Sequence, residues 1–300
     1  MGARSNEVGK QEDINALLHL LDDSDAEVYQ HVYQKLRSYG NDVLPILEYV
    51  WGANDNPLLN ERIEELISTI QSENLKREFS EWADADAPGE MEAAYLLSRV
   101  GYSGLSRNEF RESIERLRRD IWLEMTYHLS PLEQVSIVNQ KLFGNFALLC
   151  NHREKSEKEF YISHVLETKT GNNFSVSLLY MTIASQLDLP VYGLDLPGHF
   201  AMVFCKSHLI DFKDIDELKN QVMFYINPAN KGSTFTRSEI KEYLVKMKMQ
   251  SDPKYFVPCS LQKTVLRYME AMRQTAGEKS SALNTQLLDE LIELLKPKAD

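Results

Sequence analysis

Residues 164–204 read HVLETKTGNNFSVSLLYMTIASQLDLPVYGLDLPGHFAMVF, and the order of elements they encode decides the fold. Thr170-Gly171-Asn172-Asn173 is a turn by composition, because Gly supplies positive φ and Asn bonds its own backbone locally. From Phe174 to Leu187 the spacing predicts a helix. It carries Val176, Leu178, Leu179, Met181, Ile183, Ala184 and Leu187 over most of its circumference. A helix apolar nearly all round belongs inside a core. Asp188-Leu189-Pro190 stops it, since proline has no N–H to continue the ladder. Val191-Tyr192-Gly193 reads as a strand, Pro197-Gly198 turns the chain, and His199 opens a second strand, Phe200 to Cys205. The expected unit is α+β: a buried helix packed on an antiparallel sheet, with one histidine at a strand start.

That order resembles the core of the transglutaminase-like (papain-like cysteine peptidase) superfamily. The closer resemblance is to its bacterial SirB1-like branch. It is carried by Gly171, Ser175, Tyr180, Leu187, Leu189, Pro190, Gly193, Leu196, Pro197, His199 and Phe200. Ile226-Asn227-Pro228-Ala229-Asn230-Lys231-Gly232 matches a later segment of that branch, and Leu142-Phe143-Gly144-Asn145-Phe146 and Phe160–Leu166 match earlier ones. In active members a Gly-x-Cys turn opens the buried helix, and the following strands supply a His and then an Asp. Two residues after Gly171 this chain has Asn173, and where the third member belongs it has Asn227. A carboxamide cannot serve as a thiolate nucleophile. The resemblance thus implies the fold and argues against the chemistry, leaving His199, Asn173 and Asn227 as a remnant site. In related enzymes the buried helix starts opposite the histidine. A helix N-terminus is partly positive and disfavours an imidazolium beside it. His199 is therefore expected to be neutral near pH 7, held by Asn173, Asn227 or a backbone carbonyl.

Upstream, Ile14, Leu17, Leu18 and Leu21 start a helical pattern after a polar tail of residues 1–12. Val28, Val32 and Leu36 continue it, and Val43 to Val50 and Leu58 to Ile70 add two amphipathic segments. These two helix pairs, about 13–84, resemble HEAT-like repeats, which bury their apolar faces only by stacking. The acidic link at 82–88 marks a boundary, and a transglutaminase-like core is expected over 90–258. Ser130-Pro131-Leu132-Glu133 is a helix start with a capping box, as is Thr236 with Glu239. Residues 259–300 read as a helical hairpin tail, tetratricopeptide-like within the family resemblance.

A formal charge of −12 disfavours wholesale nucleic-acid binding. No apolar run approaches the roughly 18–20 residues of a membrane span, and the polar start argues against secretion. A cytoplasmic protein is expected, with no membrane or nucleic-acid partner and no cofactor. Arg116, Arg118 and Arg119 are interleaved with Glu112, Glu115 and Asp120, which reads as a solvated helix face. Cys150, Cys205 and Cys259 are far apart, and His128, His152 and His164 are isolated, so neither a disulfide framework nor a metal site is indicated. Cys205 stands near 20 Å from His199 along its strand at about 3.3 Å per residue. Cys150 reads as a loop residue ahead of the core. Ser175 and Ser177 are expected to bond back to their own helix, and Asn172 and Asn173 to form the turn and cap. Asp195, four residues before His199, is weighed as its orienter against simple exposure. The functional expectation is a catalytically inactive protein- or peptide-interaction module. The alternative is a hydrolase or acyltransferase pairing His199 with a nucleophile that sequence does not reveal.

Overall fold

A computed structural model describes residues 13–151, 156–208, 211–276 and 282–299. The tail 1–12, His152, Ile210 and Gly277 lie outside them. Contacts divide the chain into two units, Met1–Glu78 and Phe79–Asp300. The division falls within a long helix, a few residues before the acidic link.

The first unit holds α1 (13–18), α2 (Ala26–Ser38), α3 (Leu44–Ala53) and most of α4 (Pro57–Ala83). Asp25 caps α2 by accepting the N–H groups of Glu27 and Val28, two donors the helix itself leaves unpaired. Leu21, Leu36, Val43, Leu47, Ile63 and Leu66 close one apolar cluster. Polar rungs tie α2 to α4: Tyr33 bonds Thr69 at 2.9 Å, and Arg37 pairs with Glu73.

The second unit is the α+β part. It opens with α5 (Glu90–Arg99), α6 (Arg107–Trp122) and α7 (Pro131–Asn139), the last running on as a π-helix, Gln140–Asn145. Strand β1 (Leu149–Cys150) pairs in parallel with β2 (Thr170–Gly171), across α8 (Ile162–Thr168). Helix α9 follows at Asn173–Gln186, one residue ahead of the expected span at each end. Ten of its residues, Ser175 through Ala184, are buried, so the all-round apolar pattern means full enclosure. It packs against α5, α6, α8 and the sheet.

That sheet is antiparallel in the order β3 (Val191–Leu196), β4 (His199–Cys205), β5 (Val222–Asn227), β6 (Ser233–Phe235). The short apolar run Val191–Gly193 is the first half of a six-residue strand. Leu196 faces His199 across the Pro197-Gly198 turn, where Gly198 has φ +70°, a region open to glycine. Phe174 stacks on Phe200 at 5.0 Å on one face. On the other, Ala201, Val203, Cys205 and Tyr225 pack on Ile240 and Leu244 of α11 (Arg237–Lys246). Cys205 ends β4, at the far end of the strand from His199, as its spacing requires.

Helices α10 (Ile215–Gln221), α12 (Leu261–Thr275) and α13 (Ala282–Ala299) complete the unit. Tyr268 of α12 meets Phe160 and Phe174 edge-on and donates its hydroxyl to the Phe160 carbonyl. The Cys259 N–H donates to the Gly193 carbonyl at 3.0 Å, binding the start of the tail to β3. A Cβ at Gly193 would lie 2.5 Å from Thr264 Oγ1 and 2.8 Å from Phe200 Cζ. Gly193→Ala is therefore expected to destabilise by about 1–3 kcal/mol through overpacking, read as a lower urea midpoint. An unchanged midpoint would mean α12 is not seated on β3.

Candidate functional site

The site begins with how α9 starts. Asn172 is the cap: its Oδ1 accepts the N–H groups of Phe174 at 2.9 Å and Ser175 at 3.0 Å. Ser175 Oγ accepts the Asn172 N–H at 2.9 Å, completing a capping box. Ser177 Oγ donates to the Asn173 carbonyl at 2.7 Å. Both serines thus serve the helix, as their positions suggested. The expectation that Asn173 shares the capping is corrected here. With the orphan N–H groups satisfied by its neighbour, the Asn173 side chain reaches out of the helix instead.

It reaches in two directions. Asn173 Nδ2 lies 2.8 Å from His199 Nδ1. Asn173 Oδ1 accepts from the Cys150 thiol at 3.1 Å. Cys150 is not a loop residue: it lies in β1, opposite Gly171 in the register, which carries it to the head of α9. The pairing leaves no room for a side chain at Gly171, where a Cβ would lie 2.4 Å from Ser175 Oγ and 2.9 Å from Val165 Cγ2. Thiol, carboxamide and imidazole therefore form a row.

Asn227 lies on the neighbouring strand β5. The register pairs Met202 with Ile226, so Asn227 stands across from Ala201 rather than His199. Its Oδ1 accepts the Ala229 N–H at 3.0 Å, capping the short turn Pro228–Asn230. Asp195, weighed as an orienter of His199, accepts from Arg267 Nε at 3.0 Å, and Arg267 also binds Glu270 at 2.5 Å. On the α11 side, the Tyr243 ring lies 6.4 Å from the imidazole, and its hydroxyl donates to the Pro197 carbonyl at 2.6 Å.

Beside Asn173 and His199 is a cleft of about 340 Å³. Asn151, Asn172, Asn173 and His199 line one side, and Arg267, Gln274 and Thr275 of α12 the other. Sequence reasoning missed Cys150, Asn151 and this α12 wall. Among the described residues the lining is rich in carboxamides, and its cation, Arg267, is held by Asp195 and Glu270.

Electrostatics set the thiols. Burial, with Glu159 nearby, pushes Cys150 up to about 12. Burial likewise raises Cys205 to about 12 and Cys259 to about 11. All three are neutral thiols at neutral pH, and a thiol is a poor nucleophile beside a thiolate. Cys259 donates to the Gly193 carbonyl at 3.2 Å. Elsewhere, Arg118 binds Glu115 at 2.8 Å and Arg116 binds Ser113, in keeping with a mixed-charge face. His128 is exposed, and His164 lies in α8. Among the described residues no three His, Cys, Asp or Glu side chains gather as metal ligands, and no described helix is long and apolar enough to cross a membrane.

Comparison with known proteins agrees with this fold. The transglutaminase-like superfamily is matched over residues 108–270, more than half of the chain. The protein belongs to the transglutaminase-like superfamily. A UPF0162 protein of Xylella fastidiosa (strain Temecula1 / ATCC 700964) is 30% identical over 115 residues, 37% of this chain and 40% of that protein. F-box only protein 21 of Mus musculus is 35% identical over 85 residues, 28% of this chain and 13% of that protein. The human protein of that name is 36% identical over the same length. The chain thus matches about two fifths of the bacterial relative's length and about an eighth of the F-box proteins'. No solved structure matches it. The superfamily match ends within α12, so Ala271, Gln274 and Thr275 of the cleft wall lie beyond it.

Raised thiol pKa values have a kinetic consequence. At about pH 7, each native cysteine should react with iodoacetamide at least about tenfold more slowly in the folded chain than in urea. A native cysteine that reacts equally fast in both would contradict the buried, neutral thiols described here.

Proposed function

We propose that this transglutaminase-like protein is catalytically silent and that its cleft binds a segment of a protein or peptide partner. The observation that carries the reading is the Asn173 carboxamide at the head of α9, facing His199 at 2.8 Å. Acyl transfer needs an ionisable nucleophile beside a base, and a carboxamide supplies neither a thiolate nor a proton for the imidazole to remove. The cleft lining supports a polar, uncharged ligand. Gln274, exposed on α12, carries both a donor and an acceptor on its carboxamide, which suits the alternating N–H and C=O groups of an extended peptide. Arg267 is paired with Asp195 and Glu270, so among the described residues little free charge is on offer to an ion. We place the chain in the SirB1-like branch on its segment matches. We read α1–α4 as HEAT-like and α12–α13 as a tetratricopeptide-like hairpin, and the cytoplasm as the compartment.

One observation favours a second reading, a hydrolase or acyltransferase: Cys150 brings a thiol to the row that contains His199. Against it stand the carboxamide between the two groups and the burial that keeps the thiol protonated.

Two measurements test the proposal. Neither amine incorporation into a glutamine-rich protein nor amide hydrolysis should exceed buffer. Peptides selected from a random display library on the intact chain should bind Gln274→Trp at least about tenfold more weakly, a cost of about 1.4 kcal/mol. Gln274 is exposed, so its replacement should leave the unfolding midpoint alone. Turnover abolished by His199→Gln would overturn the silent reading. Selected peptides that bind Gln274→Trp undiminished would overturn the assignment to this cleft.

A further inference from the structure

The row Cys150–Asn173–His199 has a direction. A carboxamide carries an acceptor at one end and donors at the other. Its two orientations are therefore chemically distinct, and the neighbours decide between them. A neutral thiol is a donor, so the end of the Asn173 amide that faces Cys150 is the oxygen, at 3.1 Å. The nitrogen then faces the ring, 2.8 Å from His199 Nδ1. An amide N–H can only donate, so Nδ1 must accept. The proton of the neutral ring is left on Nε2.

We propose that Cys150 is a positioning residue: its S–H···O hydrogen bond orients the Asn173 carboxamide and thereby fixes His199 as the Nε2–H tautomer. The reverse orientation would set an NH₂ group against the sulfur, only a weak acceptor, and an oxygen against Nδ1, which would then have to carry the ring proton. Among the described residues, the thiol is the hydrogen-bond donor recorded at that end of the amide. The backbone makes the contact durable. Cys150 is held between the Leu149 N–H to Lys169 carbonyl bond at 2.8 Å and the Asn151 N–H to Gly171 carbonyl bond at 2.7 Å. Asn173 is held at the first position of α9 by the Asn172 cap. The consequence for the cleft is a fixed polarity: whatever meets His199 at Nε2 must be an acceptor, such as a carbonyl or carboxylate oxygen. This inference stands whether or not the cleft binds a peptide, since it concerns the resting arrangement of three side chains.

Tautomers are read directly by long-range proton–nitrogen correlation of the histidine rings in the ¹⁵N-labelled intact chain. The measurement is made at about pH 8, above the ordinary histidine pKa. The His199 signals are assigned by their loss in His199→Gln. The expected wild-type pattern is a protonated Nε2 and an unprotonated, accepting Nδ1. Cys150→Val removes the donor at similar volume and should shift the pattern toward a mixture of tautomers. Cys150→Ser restores a donor and should restore the wild-type pattern, an outcome that a purely packing role would not produce. If Cys150→Val does not fold, Cys150→Ala takes its place in the same comparison with Cys150→Ser. An Nδ1–H pattern in the wild type, or an unchanged pattern in the variant without a donor, would overturn the proposal.

Discussion

The structure depends on enclosing one helix. α9 presents apolar side chains on every side, and leaving any side wet would expose surface worth roughly 1.5–3 kcal/mol per large side chain. The second unit therefore wraps it: α5, α6 and α8 on some sides, the β3–β4 hairpin on another, and Tyr268 of α12 at its first turn. A fully buried helix has fixed ends. Its first N–H groups have no partner within the helix, and the Asn172 carboxamide supplies one, with Ser175 Oγ binding the Asn172 N–H in return. Once the cap is given to residue 172, the next side chain stands at a determined place. That constraint brings Asn173 to His199.

What stands at that place decides the chemistry. A thiol at a buried helix N-terminus next to an imidazole would ionise easily. The carboxamide found there does the opposite: it occupies both neighbours' hydrogen-bonding groups at once, accepting from Cys150 and facing His199 with its nitrogen. The thiol keeps its proton, and the ring has no acidic partner on that side. Under the proposed reading, superfamily architecture and reaction are separable in this chain, and function is argued from the site rather than from the fold.

Much of this was legible in the sequence. The all-round apolar pattern gave α9 to within one residue at each end, and Pro197-Gly198 with His199 gave the hairpin and the strand start. Counting two residues from Gly171 singled out Asn173, and the structure puts that residue against His199. What escaped is equally instructive. Cys150 reaches the row through strands two residues long, which are too short for a period-2 signal. Their pairing is a long-range event that local spacing cannot announce. The α12 wall escaped because an amphipathic helix shows that it packs, not against what. Asn227, placed in the remnant site by segment matching, stands across from Ala201 in the register, and its Oδ1 accepts from the turn that follows. The link at 82–88 looked like a boundary because it is acidic and rich in small residues, whereas contacts divide the chain earlier, inside a continuous helix.

The central claim is that residue 173 occupies the position facing the histidine from which a nucleophile would act, and that its carboxamide is what keeps the site silent. The most direct test is the pH dependence of iodoacetamide alkylation of Asn173→Cys under reducing conditions, which prevent a disulfide with Cys150. The account predicts that the introduced thiol, at a helix N-terminus beside His199, ionises at lower pH than an ordinary thiol. It should therefore alkylate faster than Cys150, Cys205 or Cys259 at about pH 7. Adding His199→Gln should slow it. Alkylation at the rate and pH dependence of an ordinary solvent-exposed thiol, with the fold intact and no effect of His199→Gln, would contradict the account.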